Sequence, residues 1–144
     1  MITRDALYSF VQGLIDSAAD DTPLKGAENF RDLRSSVDEA DKVIRIEVFT
    51  GEHAMTDEAK RKELGVTFTI QCWVLPEDDS QAAIDTAADE SFEMSRAIYE
   101  GIEGTSLGGL VCDCSTGEFE TGEANLGTIR RGVTYLDGVI NRVS

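Results

Sequence analysis

Cys112 and Cys114 stand two apart in the apolar stretch Leu110-Val111-Cys112-Asp113-Cys114. In a strand, residues at that spacing point the same way, so both thiols can meet one ion or form a redox pair. A structural zinc site takes about four ligands. The other residues on offer are Cys72 and His53, the single histidine of the chain. Cysteine is among the most buried residue types, and each thiol lies in register with apolar neighbours: Leu110 for Cys112 and Cys114, Phe68 and Ile70 for Cys72. Core packing is the stronger reading, and no metal site is expected. His53 has no serine or cysteine partner in a local motif, which argues against nucleophilic catalysis. Gly101, Gly104, Gly108 and Gly109 lack the Lys-Ser/Thr of a phosphate loop and the dinucleotide fingerprint, so they read as turn residues.

Asp85, Asp89 and Glu93 form an i, i+4, i+8 stripe on a helical pattern, with Glu100 further along. Paired carboxylates can move protons or hold Mg²⁺. This stripe lies opposite an apolar one, so it is expected to face solvent as an acidic wall toward a partner or a DNA path. Lys60-Arg61-Lys62 is the densest basic run of an acidic chain, suited either to plain solvation or to an acidic patch on another copy. Trp73 is the only tryptophan. Strand alternation sends it away from the expected core, which makes it a candidate interface anchor. Coverage by the chain's own 24–41 segment accounts for it equally well.

The elements that must position these residues are legible from periodicity. Ile44, Ile46 and Val48 alternate with Arg45 and Glu47. Leu64, Val66, Phe68, Ile70, Cys72 and Val74 alternate with Thr67, Thr69, Gln71 and Trp73. Both are strands with one buried and one accessible face. Between them lies Gly51 to Glu63, far longer than a tight hairpin needs, and such loops are usually functional or mobile. A helix capped by Thr3 is expected to run to about Ala19, with Leu7, Phe10, Val11, Leu14 and Ala18 on one side. Residues 24–41 read mainly as a connection.

A second helix is expected after Pro76, with an apolar stripe of Ala83, Ile84, Ala87, Met94, Ile98 and Ile102 that includes small Ser91 and Ser95. Gly101 and Gly104 mark its end. A third strand starts at Leu110, and Gly122 to Gly127 turns the chain. Ile129, Val133 and Tyr135 form the apolar face of a fourth strand, interrupted by Arg131. Asp137-Gly138 is a turn signal before a short return strand or tail. The order α-β-β-α-β-β implies an α+β two-layer sandwich: an antiparallel four-stranded sheet with two main helices on one face.

The 144 residues fit one domain, 1–144, which needs no covalent staple. With 28 acidic and 13 basic residues, the formal net charge is −15. Such a chain repels nucleic acid and anionic membranes at long range. It argues against a general DNA or RNA binder, but not against a protein that DNA must pass without sticking. No apolar run approaches the ~20 residues of a membrane span. The N-terminus opens directly into an amphipathic pattern, and the odd number of cysteines fits a reducing compartment.

Three stretches together resemble the tail terminator, or tail-to-head joining, proteins of long-tailed phages with non-contractile tails. They are Ile46-Glu47-Val48-Phe49-Thr50-Gly51-Glu52, followed by the charged loop and Val66 to Val74; the acidic opening of the second helix after Pro76; and Leu107-Gly108-Gly109-Leu110-Val111 with the later Gly132-Val133-Thr134-Tyr135. The element order matches along nearly the whole chain, Asp137–Ser144 fitting less well. The resemblance implies a non-enzymatic virion protein without cofactor. It would assemble as a ring, usually hexameric, that caps the tail tube, stops tube polymerisation and meets a head-completion or connector protein.

On this reading its partners are itself, the tail tube protein and the connector. DNA passes through unbound, and the protein is made in the bacterial cytoplasm. The loop residues Glu52, His53, Asp57, Lys60, Arg61 and Lys62 then contact neighbours or the tube. The rivals are another neck or tail-completion protein and an acidic DNA mimic that inhibits a DNA-binding enzyme through the Asp85–Glu103 face. An enzyme is disfavoured, because no nucleophile–base pair, metal set or phosphate loop stands out.

Overall fold

A computed structural model describes residues 2–30, 41–50, 55–56, 61–62, 66–102, 110–113, 119–126 and 129–142. The elements are α1 (Ile2–Asp16), β1 (Glu28–Phe30), β2 (Lys42–Thr50), β3 (Met55–Thr56), β4 (Arg61–Lys62), β5 (Val66–Val74), α2 (Gln81–Ile102), β6 (Leu110–Asp113), β7 (Phe119–Leu126) and β8 (Ile129–Arg142). The fold is α+β, as the sequence pattern implies.

The sheet is larger than four strands and is not purely antiparallel. Five strands lie along the path β1-β2-β5-β8-β6, and β7 also pairs with β8. β1 runs parallel to β2. The other pairings of this sheet are antiparallel. Sequence reading missed β1 because three residues, Glu-Asn-Phe, carry no periodicity, and its pairing is set by tertiary contact. Asn29 fastens it: the side-chain Nδ2 donates to the Tyr8 carbonyl of α1 at 3.1 Å. Gly26, at φ 78°, makes the left-handed turn that leads into the strand.

β8 occupies the centre. One edge pairs with β5. The other pairs with β7 over Ile129–Leu136 and with β6 over Val139–Arg142. The turn expected at Asp137-Gly138 is therefore absent, and β8 runs straight through it. Pairing with Thr69 and Phe68 of β5 holds these two residues extended, and Gly138 lies under the ring of Phe68, where a Cβ would stand 2.3 Å from Phe68 Cζ. Of the turn expected over Gly122–Gly127, Gly122 to Leu126 instead lie inside β7, and Gly127 lies outside the described residues.

Both helices cover one face of the sheet. Leu7 and Val11 of α1 and Met94 and Ile98 of α2 pack with Ile44, Ile46, Phe68, Ile70, Cys72, Val74 and Leu136 in one core. Ile84, Ala87, Ser91, Met94, Ser95, Ile98 and Ile102 are the buried stripe of α2. This matches the expected stripe except for Ala83, which is half-buried. The helix boundaries differ more. Thr3 lies inside α1 rather than capping it, and Gly101 lies inside α2, where Leu14 of α1 packs against it.

The helix-facing side of β8 is the reverse of the expected one. Gly132, Thr134, Leu136 and Gly138 pair with Val74, Cys72, Ile70 and Phe68, so they share the core face. Val133 and Tyr135 face away with Trp73 and Val43. Small residues win the helix side because α2 lies very close there.

Candidate functional site

The charged segment between β2 and β5 is the first of three surfaces to consider. Within it, β3 and β4 pair antiparallel, Met55 opposite Lys62 and Thr56 opposite Arg61, as a two-stranded ribbon separate from the main sheet. Arg61 and Lys62 of the basic run therefore sit on a strand of this ribbon. Glu52, His53, Asp57 and Lys60 lie outside the described residues. The ribbon grows from the Thr50–Val66 end of the β2–β5 hairpin.

The second surface is the sheet face away from the helices. Trp73 stands there, as alternation requires, but it is only 4% exposed. It packs with Val43, Val133, Ala124 and Tyr135 in a second small core. Its ring meets that of Tyr135 edge-on, with centroids 6.3 Å apart. The indole Nε1 donates to Gln71 Oε1 at 3.1 Å, and Gln71 Nε2 donates to Glu47 Oε1 at 3.0 Å. Trp73 is thus spent on packing and hydrogen bonding within its own chain. Arg131, two positions before Val133, is fully buried on this strand. Its burial was not legible in the sequence, where it read as an interruption of the apolar face.

The third surface is the outer face of α2. Asp85, Asp89, Glu93 and Glu100 are all exposed, as expected. Gln81 Nε2 donates to Asp85 Oδ1 at 2.9 Å. Arg96 pairs with Glu100 at 3.2 Å and with Glu93 at 3.9 Å. Such exposed pairs are weak, and the face stays strongly acidic. Ser80 starts the helix: its Oγ accepts from the Ala83 amide at 3.2 Å, and the Asp78 carboxylate accepts from the Ser80 amide at 2.8 Å. Hydrogen bonds from Ser80 to the Asp78 carboxylate, its side chain first and its backbone amide second, hold that carboxyl below its usual range.

The acidic face continues into a groove of about 440 Å³ between α2 and the turn at Asp20–Pro23. Asp20, Asp21, Asp89, Glu90 and Glu93 line it. Among the described residues that line it, the one cation, Lys42, donates to the Pro23 carbonyl at 3.0 Å.

Among the described residues, no group of three or more His, Cys, Asp or Glu side chains is placed to hold a metal ion. Cys72 is fully buried, and desolvation pushes its thiol up to about 12, the nearby Ser95 hydroxyl offsetting only part of the rise. The thiolate is thereby suppressed, as core packing predicts. The side chain of Cys112 and all of Cys114 lie outside the described residues.

No family model matches the chain, and no curated protein does. Nine solved chains are similar to it in structure. One of them, known by a sequence identifier alone, is 18% identical with a TM-score of 0.50, and the match covers 99% of this chain and 96% of that one. At that identity the likeness shows the fold alone. It extends over the full length of an α+β domain, both helices and the mixed sheet included. Among the described residues, no helix is long and apolar enough to cross a membrane.

Proposed function

We infer that this protein is a phage tail terminator. It assembles as a ring, hexameric on the family pattern, on the end of the tail tube, stops tube polymerisation and presents a surface to a head-completion or connector protein. The observation that carries this reading is the ribbon. Within the long charged segment between β2 and β5, Met55–Thr56 and Arg61–Lys62 pair as a ribbon separate from the main sheet. A paired ribbon in a long connection suits contact with a neighbour better than chemistry.

Charge supports the same reading. With −15 overall and exposed carboxylates along α2, duplex DNA that crosses the ring is repelled rather than held. The partners on this reading are further copies of the chain, the tail tube protein and the connector; the site of action is the tail–head junction of the virion.

Electron microscopy of purified tail tubes with added protein tests the proposal. Tubes should carry a ring at one end and stop elongating. Tubes that bind no protein at either end, and keep growing, would reject it.

A further inference from the structure

We propose that β7 is a docking edge for the same strand of a second copy, the two strands pairing antiparallel about a two-fold axis at Gly122. The contact closes after two copies, so it stands apart from the ring reading above.

β7 is an open edge of the main sheet. Among the described residues it pairs with β8 alone. Thr121, Gly122 and Glu123 are exposed. Only two residues separate Leu126 from its partner Ile129, which makes them the hydrogen-bonded closing pair of a tight hairpin. Alternation along β7 then turns the backbone N–H and C=O of Thr121, Glu123 and Asn125 away from β8. Such a row accepts another strand unless something blunts it. Phe119–Leu126 contains no proline and no lysine, the usual guards of an edge.

The strand is self-complementary. With Gly122 opposite Gly122, Thr121 pairs with Glu123, Glu120 with Ala124 and Phe119 with Asn125. No glutamate then stands opposite another. Thr121 and Glu123 both turn backbone groups outward, so they form hydrogen-bonded pairs, and Gly122 falls at a non-hydrogen-bonded one. Moving the axis to Glu123 sets two carboxylates at one pair, which is destabilising. Moving it to Thr121 shortens the overlap. The opposite edge of the sheet, β1, has three residues and cannot match this length.

Charge and space also suit a second copy. A net charge of −15 opposes self-association in general. However, Glu123 is paired with Arg130 of β8. Glu90 lies on the flank of α2 toward the Asp20–Pro23 turn and Lys42 of β2, together with the other groove carboxylates. Ala88, Phe92 and Tyr99 lie about 160–180° around the helix from Glu90. They occupy the β7 side, since β2 and β7 flank β8 from opposite directions, and all three are half-buried. α2 rides over β8, where Gly132 meets its backbone at Ala87 and Ala88. Pairing of two β7 strands sets the two α2 helices about 14 Å apart, three strand spacings. Packed helices need only about 8–10 Å, so both fit.

Gly122 is the position to test, because an added Cβ there meets nothing within 4 Å. The wild-type chain should dimerise in sedimentation, more tightly as salt screens the like charge. Gly122→Lys places two ammonium groups at the axis and should weaken the dimer on the order of tenfold. Added salt should return part of that loss. Gly122→Cys should cross-link on mild oxidation, since Cα atoms at a non-hydrogen-bonded pair stand about 4.5 Å apart, within disulfide reach. Mass spectrometry should find position 122 of one copy joined to position 122 of the other. Far-ultraviolet circular dichroism and Trp73 emission report whether each variant is folded.

A wild-type chain that stays monomeric at high salt and high concentration overturns the inference. So does a dimer indifferent to Gly122→Lys in which the introduced cysteines do not join. Either result leaves the terminator reading to be judged by rings on tail tubes. Tubes that bind no ring, while position 122 still cross-links, would reject that reading and keep this one.

Discussion

Gly132 and Ala88 meet backbone to backbone: a Cβ on Gly132 would stand 2.3 Å from the Ala88 amide nitrogen. This contact sets the distance between α2 and the central strand β8, and so the depth of the whole core beneath the helix. The neighbouring Ser91 and Thr134 exploit it, their hydroxyls 2.7 Å apart in the buried seam.

Gly132→Ala should therefore be costly, because backbone rather than a flexible side chain must give way. Overpacking of this kind costs about 1–3 kcal/mol, and a contact this short belongs at or above the top of that range. Gly122→Ala, where an added Cβ meets nothing within 4 Å, is the matched control and should change stability by less than about 0.5 kcal/mol. Urea denaturation of the two variants, side by side, checks the pair.

Gly138 and Phe68 make a similar but softer contact, since the obstacle is the far end of a ring. Gly138→Ala should destabilise less than Gly132→Ala. Shortening the obstacle with Phe68→Leu should recover part of that loss, giving a coupling of about 0.5–3 kcal/mol in a double-mutant cycle. Strict additivity of the two substitutions would show that the ring and the strand do not touch.

Trp73 is the sole tryptophan and is 4% exposed, so intrinsic fluorescence reports one site. Its emission should be blue-shifted and resist quenching by iodide in the native protein. Trp73→Phe keeps the ring but removes the donor to Gln71 Oε1, leaving a buried acceptor unpaired. The expected cost is about 1–3 kcal/mol, read from thermal or urea unfolding.

Cys72 should be inert to thiol reagents until the domain unfolds, followed residue by residue with mass spectrometry. Its folded-state pKa, pushed up to about 12, exceeds the ordinary value of 9.0. The sign follows: the unfolded state loses this proton first, so the stabilisation is complete below pH ~9 and is lost as pH rises toward ~12. Cys72→Ala should flatten the fall in stability over that alkaline window relative to wild type.

Ser80→Ala removes the cap of α2 and should cost about 1 kcal/mol. It also removes the side-chain hydrogen bond that is the larger cause of Asp78's lowered pKa, whose ordinary value is 3.8. A depressed carboxyl stabilises the fold above that value and stops doing so as pH falls through the folded-state pKa. Stability measured from pH 2 to 6 should therefore show a shallower acid limb in the variant.

The sequence by itself determined the α+β class, the two antiparallel strands β2 and β5 with their faces, the buried stripe of α2 and the burial of Cys72. Each is written in local periodicity: a residue's neighbours at i+2 or i+4 decide which way it points. Tertiary structure alone decided what periodicity does not encode. It paired the three-residue β1 in parallel with β2. It held β8 extended through Asp137-Gly138 because β5 pairs with both residues, and it turned Gly132 and Thr134 toward α2 because only small residues allow the helix so close. The same distinction governs the surfaces. The basic run and the acidic stripe are legible as composition, whereas the groove that gathers Asp20 and Asp21 beside Asp89, Glu90 and Glu93 exists only in the folded chain.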